Sequence, residues 1–280
     1  MRERMLGRLS GVALTLLRGM RRRLASGGGG LPRARLLDLL GRASLGLGLE
    51  PEERFGEAIL CFGAAAAIYM RKEEIDAWAR QRCKQGEACR RLAGAGFPKA
   101  WEDAVFHYEA ALVVLTRRQV PALYADALEN LAIAYRELPS KDRKASTLKA
   151  IDCYRRALRV FTFQLMPLKN ARLHDGLGSA FLGLCAGAAR PQQNACRALR
   201  HFERALRVRS KSRYPCEYAA TQLNRAGGYL QLASCQPDPR ETTRLARICL
   251  QEARDGFMRC GQAGRAAQVE RRLEALGASS

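Results

Sequence analysis

Three histidines, ten cysteines and several paired glycines are the residues of this 280-residue chain with most to offer chemistry. His107, His174 and His201 read as lying on separate copies of a repeat described below. No His-Glu-x-x-His motif and no carboxylate or cysteine at ligand spacing accompanies them, so no metal site is expected. The cysteines, at positions 61, 83, 89, 153, 185, 196, 216, 235, 249 and 260, are scattered without a Cys-x-x-Cys pair. In a chain too long to need stapling they read as small apolar residues in a reducing compartment. "GLGL" at Gly46 and "GLGS" at Gly176 hold two of the three glycines of a dinucleotide fingerprint, but inside helical patterns, so they read as packing glycines. Gly27 to Gly30 are not followed by Lys and Ser or Thr, no Gly-x-Ser-x-Gly occurs, and the acidic "EPEERFGE" from Glu50 reads as a helix start. No catalytic residue, cofactor or small-molecule substrate is indicated, and the chain does not read as an enzyme.

The elements that would position any site are helices in a repeat. Pro121, Pro167 and Pro215 are followed by "ALYADALENLAIAYREL", "LKNARLHDGLGSAFLGL" and "CEYAATQLNRAGGYLQL", spaced by 46 and 48 residues. In register, Ala125, Ala171 and Ala219 correspond, as do Ala132, Gly178 and Ala226, then Tyr135, Phe181 and Tyr229. Each copy has a second half with Ala, aromatic and Ala at helical spacing, as in Ala150, Tyr154 and Ala157. The same spacing recurs from Ala58 and Ala104; Ile75 to Leu92 supplies another first helix with Gly86 at its small position, and a weaker one, "ARLLDLLGRASLGL", precedes Ala58. Small and large residues must alternate in this way if two helices are to interlock closely.

On these residues the chain resembles the tetratricopeptide repeat family, in a long-unit variety, since the usual unit is about 34 residues. The resemblance implies an all-α fold, a right-handed superhelical solenoid of antiparallel helix pairs. It covers about five pairs over residues 31–262, with 263–280 as a capping helix and tail. Residues 1–30 read as a separate basic amphipathic segment and glycine linker, with seven Arg and one Glu. Met5, Leu6, Leu9, Ala13, Leu16 and Met20 fall on one face, and Arg4, Arg8, Arg18 and Arg22 opposite. The apolar stretch Leu9 to Leu17 is too short to span a membrane, and a secretory signal does not fit the arginines that follow it. A mitochondrial presequence, a helix lying on an anionic membrane surface through residues 1–24, and a solvated basic tail all remain open. The protein reads as intracellular, cytoplasmic or mitochondrial, and not secreted.

The resemblance implies that the first helix of each pair lines a concave groove. Counting from the small residue, the positions six, three and two before and one and four after face it. The candidate groove residues are Arg80, Lys84, Glu87 and Arg90 of the second pair, Asn130 and Arg136 of the third, Arg172 of the fourth and Asn224 of the fifth. The groove is then basic at its N-terminal end, and Asn130 and Asn224 suit an extended peptide backbone. Glu129 and Asp175 stand where the family's carboxylate clamp would need cations, so a chaperone-tail adaptor is not expected. Lys and Arg outnumber Asp and Glu by 48 to 27, which favours an acidic protein or peptide partner. RNA is the rival partner, through the arginines of "RALRHFERALRVRSKSR" from Arg197, although stacking on bases needs exposed aromatics and those here occupy core offsets.

Overall fold

A computed structural model describes residues 2–26, 30–186 and 188–278, with side chains over 12–26, 30–186 and 188–277. Among them are twelve α-helices and no strand. The chain divides into two compact units, residues 1–141 and 142–280. Unit 1 holds α1 (Arg2–Ser26), α2 (Leu31–Leu45), α3 (Pro51–Arg71), α4 (Ile75–Gly94), α5 (Ala100–Val114) and α6 (Pro121–Glu137). Unit 2 holds α7 (Arg143–Leu158), α8 (Pro167–Gly183), α9 (Pro191–Leu206), α10 (Pro215–Ala233), α11 (Arg240–Arg259) and α12 (Ala263–Ala278). No described helix is long and apolar enough to cross a membrane.

Helix boundaries follow from local chemistry. Pro121, Pro167 and Pro215 open α6, α8 and α10, where a missing N–H costs nothing and the ring presets φ. The preceding residues, Val120, Met166 and Tyr214, share one backbone conformation, with φ of −137°, −142° and −138° and ψ of 65°, 67° and 62°. Each also accepts the N–H four residues on, from Tyr124, Asn170 and Tyr218. The repeat is therefore a repeat of backbone geometry. Asp142 caps α7 by accepting the Ala145 N–H at 2.8 Å.

Within each unit successive helices pack against one another, and first helices of adjacent pairs also touch, α4 with α6 and α8 with α10. Sequential packing of this kind is consistent with a helical solenoid. Glycine makes the interlock at three equivalent positions. A Cβ on Gly41 would lie 2.6 Å from the Phe62 ring, one on Gly86 2.9 Å from Tyr108, and one on Gly178 2.4 Å from Phe202. Each aromatic comes from the second helix of its own pair, and all three rings are buried.

The structure differs from expectation in three places. First, α1 does not stand apart: it packs on α2 and α3. Glu57 of α3 is almost fully buried, and a carboxylate there needs a cation. Arg21 supplies it at 2.5 Å, with Arg18 at 3.8 Å, while Leu14 is buried and Leu24 joins the apolar cluster of Leu37, Ile68 and Tyr69. The docked face is thus Leu14, Arg21 and Leu24, and Leu16 and Met20 of the expected apolar face point to solvent. Met5, Leu6, Leu9, Arg4 and Arg8 lie outside the described side chains, and Gly27 to Gly29 outside the described residues.

Second, Gly46 sits just past the end of α2, in a turn, whereas Gly176 and Gly178 are packing glycines inside α8. Third, not all the cysteines are free thiols. Cys216 at the start of α10 and Cys260 at the end of α11 form a disulfide with Cα atoms 5.8 Å apart, because the return of α11 along α10 brings these two ends together. Gly261, at φ 72°, then turns the chain into α12 through bonds from the Gly261 N–H to Met258 and from the Gln262 N–H to Phe257. Burial pushes the thiols of Cys61, Cys83 and Cys89 up to about 12.

Candidate functional site

In unit 1 a hollow of about 400 Å³ opens along the first helices of successive pairs. Arg42 and Leu45 come from α2; Arg80, Cys83, Lys84 and Glu87 from α4; Leu123, Asp126, Ala127 and Asn130 from α6. Phe62 and Tyr108, the two rings that interlock with Gly41 and Gly86, form part of its wall. The hollow exists because the small residues draw the second helices close while longer side chains one or two positions away stand clear.

Four of the eight expected residues therefore meet here: Arg80, Lys84, Glu87 and Asn130. Arg90 does not line the hollow; it grips Glu87 from behind at 2.8 and 2.9 Å. Arg136 is half-buried and bonds to Glu137 at 2.9 Å. Arg172 and Asn224 belong to unit 2, on α8 and α10. Asn224 donates to both oxygens of Asp175 at 3.2 Å, so its amide N–H is engaged within the fold.

The basic end of the site is largely compensated. Lys84 pairs with Asp38, which also holds Arg42 at 2.5 Å. Glu87 accepts from Arg90, Arg91 and the Tyr108 hydroxyl. Burial alone would raise the Glu87 carboxyl, but its bonds to Arg90 and Arg91 hold it below the usual carboxylate range. Burial raises Tyr108 well above its ordinary value, with Glu87 adding to it, and the Cys83 thiol is pushed up to about 12 by burial. At neutral pH this wall therefore offers a carboxylate, a phenol and a thiol that keep their protonation states, which suits hydrogen bonding more than proton transfer. Arg80 is exposed and Asn130 half-exposed, and among the described residues neither is tied to a partner.

Asp38, Arg42 and Leu45 were not among the expected residues, although the signal was present. Gly41 is the small residue of α2, and the same offsets of three before, one after and four after it give these three positions. The weak α2 pattern concealed the register.

The histidines also depart from expectation. His174 on α8 and His201 on α9 belong to one pair, with Nδ1 atoms 2.9 Å apart and rings stacked at 5.1 Å; Phe181 stacks on the far side of His201. Both histidines are pushed down to about 4, by burial first; His174 and then Arg204, Arg155 and Arg200 add to the effect at His201, and Arg204 at His174. His107 lies instead against Arg82 at 3.2 Å and is also lowered to about 4, by burial and then by Arg82. Among the described residues no three His, Cys, Asp or Glu side chains gather as a metal site.

No protein-family model matches the chain, and no curated protein matches it.

Proposed function

We propose that the chain is a tetratricopeptide-type interaction module, a right-handed superhelical array that binds a segment of a partner protein and catalyses nothing. The observation that carries this reading is the hollow of unit 1, lined at repeated offsets by three successive first helices. A preformed surface lowers the ordering cost on the receptor side. Leu45, Phe62 and Leu123 offer an apolar floor, Arg80 a cation and Asn130 a donor and an acceptor, so the ligand is an extended segment with an apolar side chain next to a carboxylate. The ion pairs of Arg18 and Arg21 with Glu57 support an α1 that works as part of the array and not as a separate segment.

A tagged full-length protein recovered from its own cells after nuclease treatment provides the partner for the test. Arg80→Glu with Asn130→Ala then weakens its capture at least about tenfold with unchanged helical content, by the loss of one charge-assisted and one neutral hydrogen bond. Lys84 is left alone because it holds Asp38. Unchanged capture removes the hollow from the site.

A basic RNA-associated structural component is the second reading. Arg155, Arg200 and Arg204 all act on His201, which places three guanidinium groups in one neighbourhood of unit 2. Loss of all co-purifying protein on nuclease treatment favours this reading over the first.

A further inference from the structure

The segments leading into α8 and α10 occupy equivalent places in the repeat, yet their chemistry is opposite. Counting back from Pro167 and Pro215, Phe163 stands where Lys211 does and Leu165 where Arg213 does. Two residues before Phe163 and Lys211 the chain is structural in both, with Phe161 and Arg209 buried. Phe163 and Leu165 are not structural: they are 52% and 72% exposed, and Met166 and Leu168 are each 42% exposed. The two loops border one open hollow. Phe163, Leu165 and Met166 stand on one side and Arg207, Arg213 and Tyr214 on the other, with no carboxylate among the lining residues.

We infer that this pair of loops is a membrane-surface contact, in which Phe163 and Leu165 enter the interfacial layer of an anionic bilayer while Arg207 and Arg213 meet its headgroups. Large apolar side chains exposed together mark an interaction site, and a single repeat that abandons the polar residues of its equivalent has no packing reason to do so. Cations beside them select an anionic partner. Nucleic acid shares the charge but has no use for an exposed leucine. A folded protein partner is the poorer fit, because Leu165 stands out from a connecting loop and does not form the floor of a groove, which suits entry into a soft medium. A net charge of +21 draws the whole chain toward such a surface. Stable interfacial attachment needs more than one anchor. Separately, α1 exposes Val12, Leu16 and Met20 along one stripe, with Arg22 and Arg23 also exposed on that helix.

Co-sedimentation of the full chain, freed of nucleic acid, with phosphatidylcholine vesicles that contain or lack phosphatidylserine tests the inference. The protein is expected to sediment with the anionic vesicles alone, and less as salt rises. Phe163→Ser with Leu165→Ser, at exposed positions where folding is checked by circular dichroism, lowers the vesicle partition constant by roughly tenfold or more. Arg207→Ser with Arg213→Ser lowers it by a similar factor. The inference fails if anionic vesicles bring nothing down, if neither pair of substitutions changes binding, or if only Leu16→Ser with Met20→Ser on α1 does. It also fails if a photoreactive side chain at position 165 cross-links to protein in native extract and never to lipid.

Discussion

In unit 1 the groove-facing positions of α4 and α6 border open space, with Arg80 and Lys84 on one helix and Asp126 and Asn130 on the other. In unit 2 two of the corresponding positions, Gly176 of α8 and Asn224 of α10, are taken up within the fold. Asp175 and Asn224 bond to each other, and Arg209, with its side chain only 7% exposed, reaches both Asp175 at 3.7 Å and the Thr221 hydroxyl at 2.7 Å. Gly176, two residues before the small Gly178, admits the Tyr154 ring so closely that a Cβ there would lie 2.5 Å from it. In α4 the same position is Lys84. A repeat register thus says which face a residue shares, while the size and charge at a single position decide whether that face is an opening or an internal network.

The features common to both units should break them equally. Gly86→Val and Gly178→Val each drive a branched side chain into a buried ring, Tyr108 or Phe202, and each is expected to cost about 3 kcal/mol of stability in denaturant unfolding. A neutral result at either position means that the pairing of small residue and ring is not the interlock of that helix pair.

The closed network of unit 2 makes the sharper contrast. Asp175→Ala takes the carboxylate from a buried Arg209 and the acceptor from Asn224, and is expected to cost about 2 kcal/mol. Asn130→Ala in unit 1, by contrast, removes no described bond and should fall within about 0.5 kcal/mol of the parent. Equal effects would erase the distinction between an open and a closed face.

Acid separates the two units by their histidines. The folded pKa values of His107, His174 and His201 lie near 4, below the ordinary 6.5, so the unfolded chain takes up protons first as pH falls. The stability that neutral histidines contribute is complete above about pH 6.5 and is lost progressively down to about pH 4. Unit 2 carries two of them in contact and unit 1 one. Both tryptophans, Trp78 and Trp101, lie in unit 1, so tryptophan fluorescence reports that unit and far-ultraviolet circular dichroism reports both. Helical signal is expected to start falling at a higher pH than the fluorescence changes, and His201→Phe should bring the two transitions together. Coincident transitions in the parent would show that the histidine pair does not set the acid limit of unit 2.

Much of the architecture was legible because it rests on periodic, local causes. Pro121, Pro167 and Pro215 mark helix starts by their fixed φ, and alternation of Gly or Ala with an aromatic marks the interlock, both recurring in the chain itself. Half of the expected site residues share one hollow for the same reason, since a helical offset from a small residue is a direction in space. The rest depended on partners remote in sequence. Lys84 is neutralised by Asp38 across 46 residues and Asn224 engaged by Asp175 across 49. A sequence shows the charge but not what answers it.

By itself, then, the amino-acid sequence determined the helix order and the interlocking face of helices such as α4 and α8, because hydrophobic period, proline geometry and side-chain size act within a few residues. Only the tertiary structure decided that α1 docks through Arg21 on a buried Glu57, that Cys216 meets Cys260, that His174 stacks on His201, and that Phe163 and Leu165 remain in solvent beside a cationic loop. Each of these is a contact between helices or loops whose approach depends on the packing of everything between them, and burial and pairing energies act only once that approach has been made.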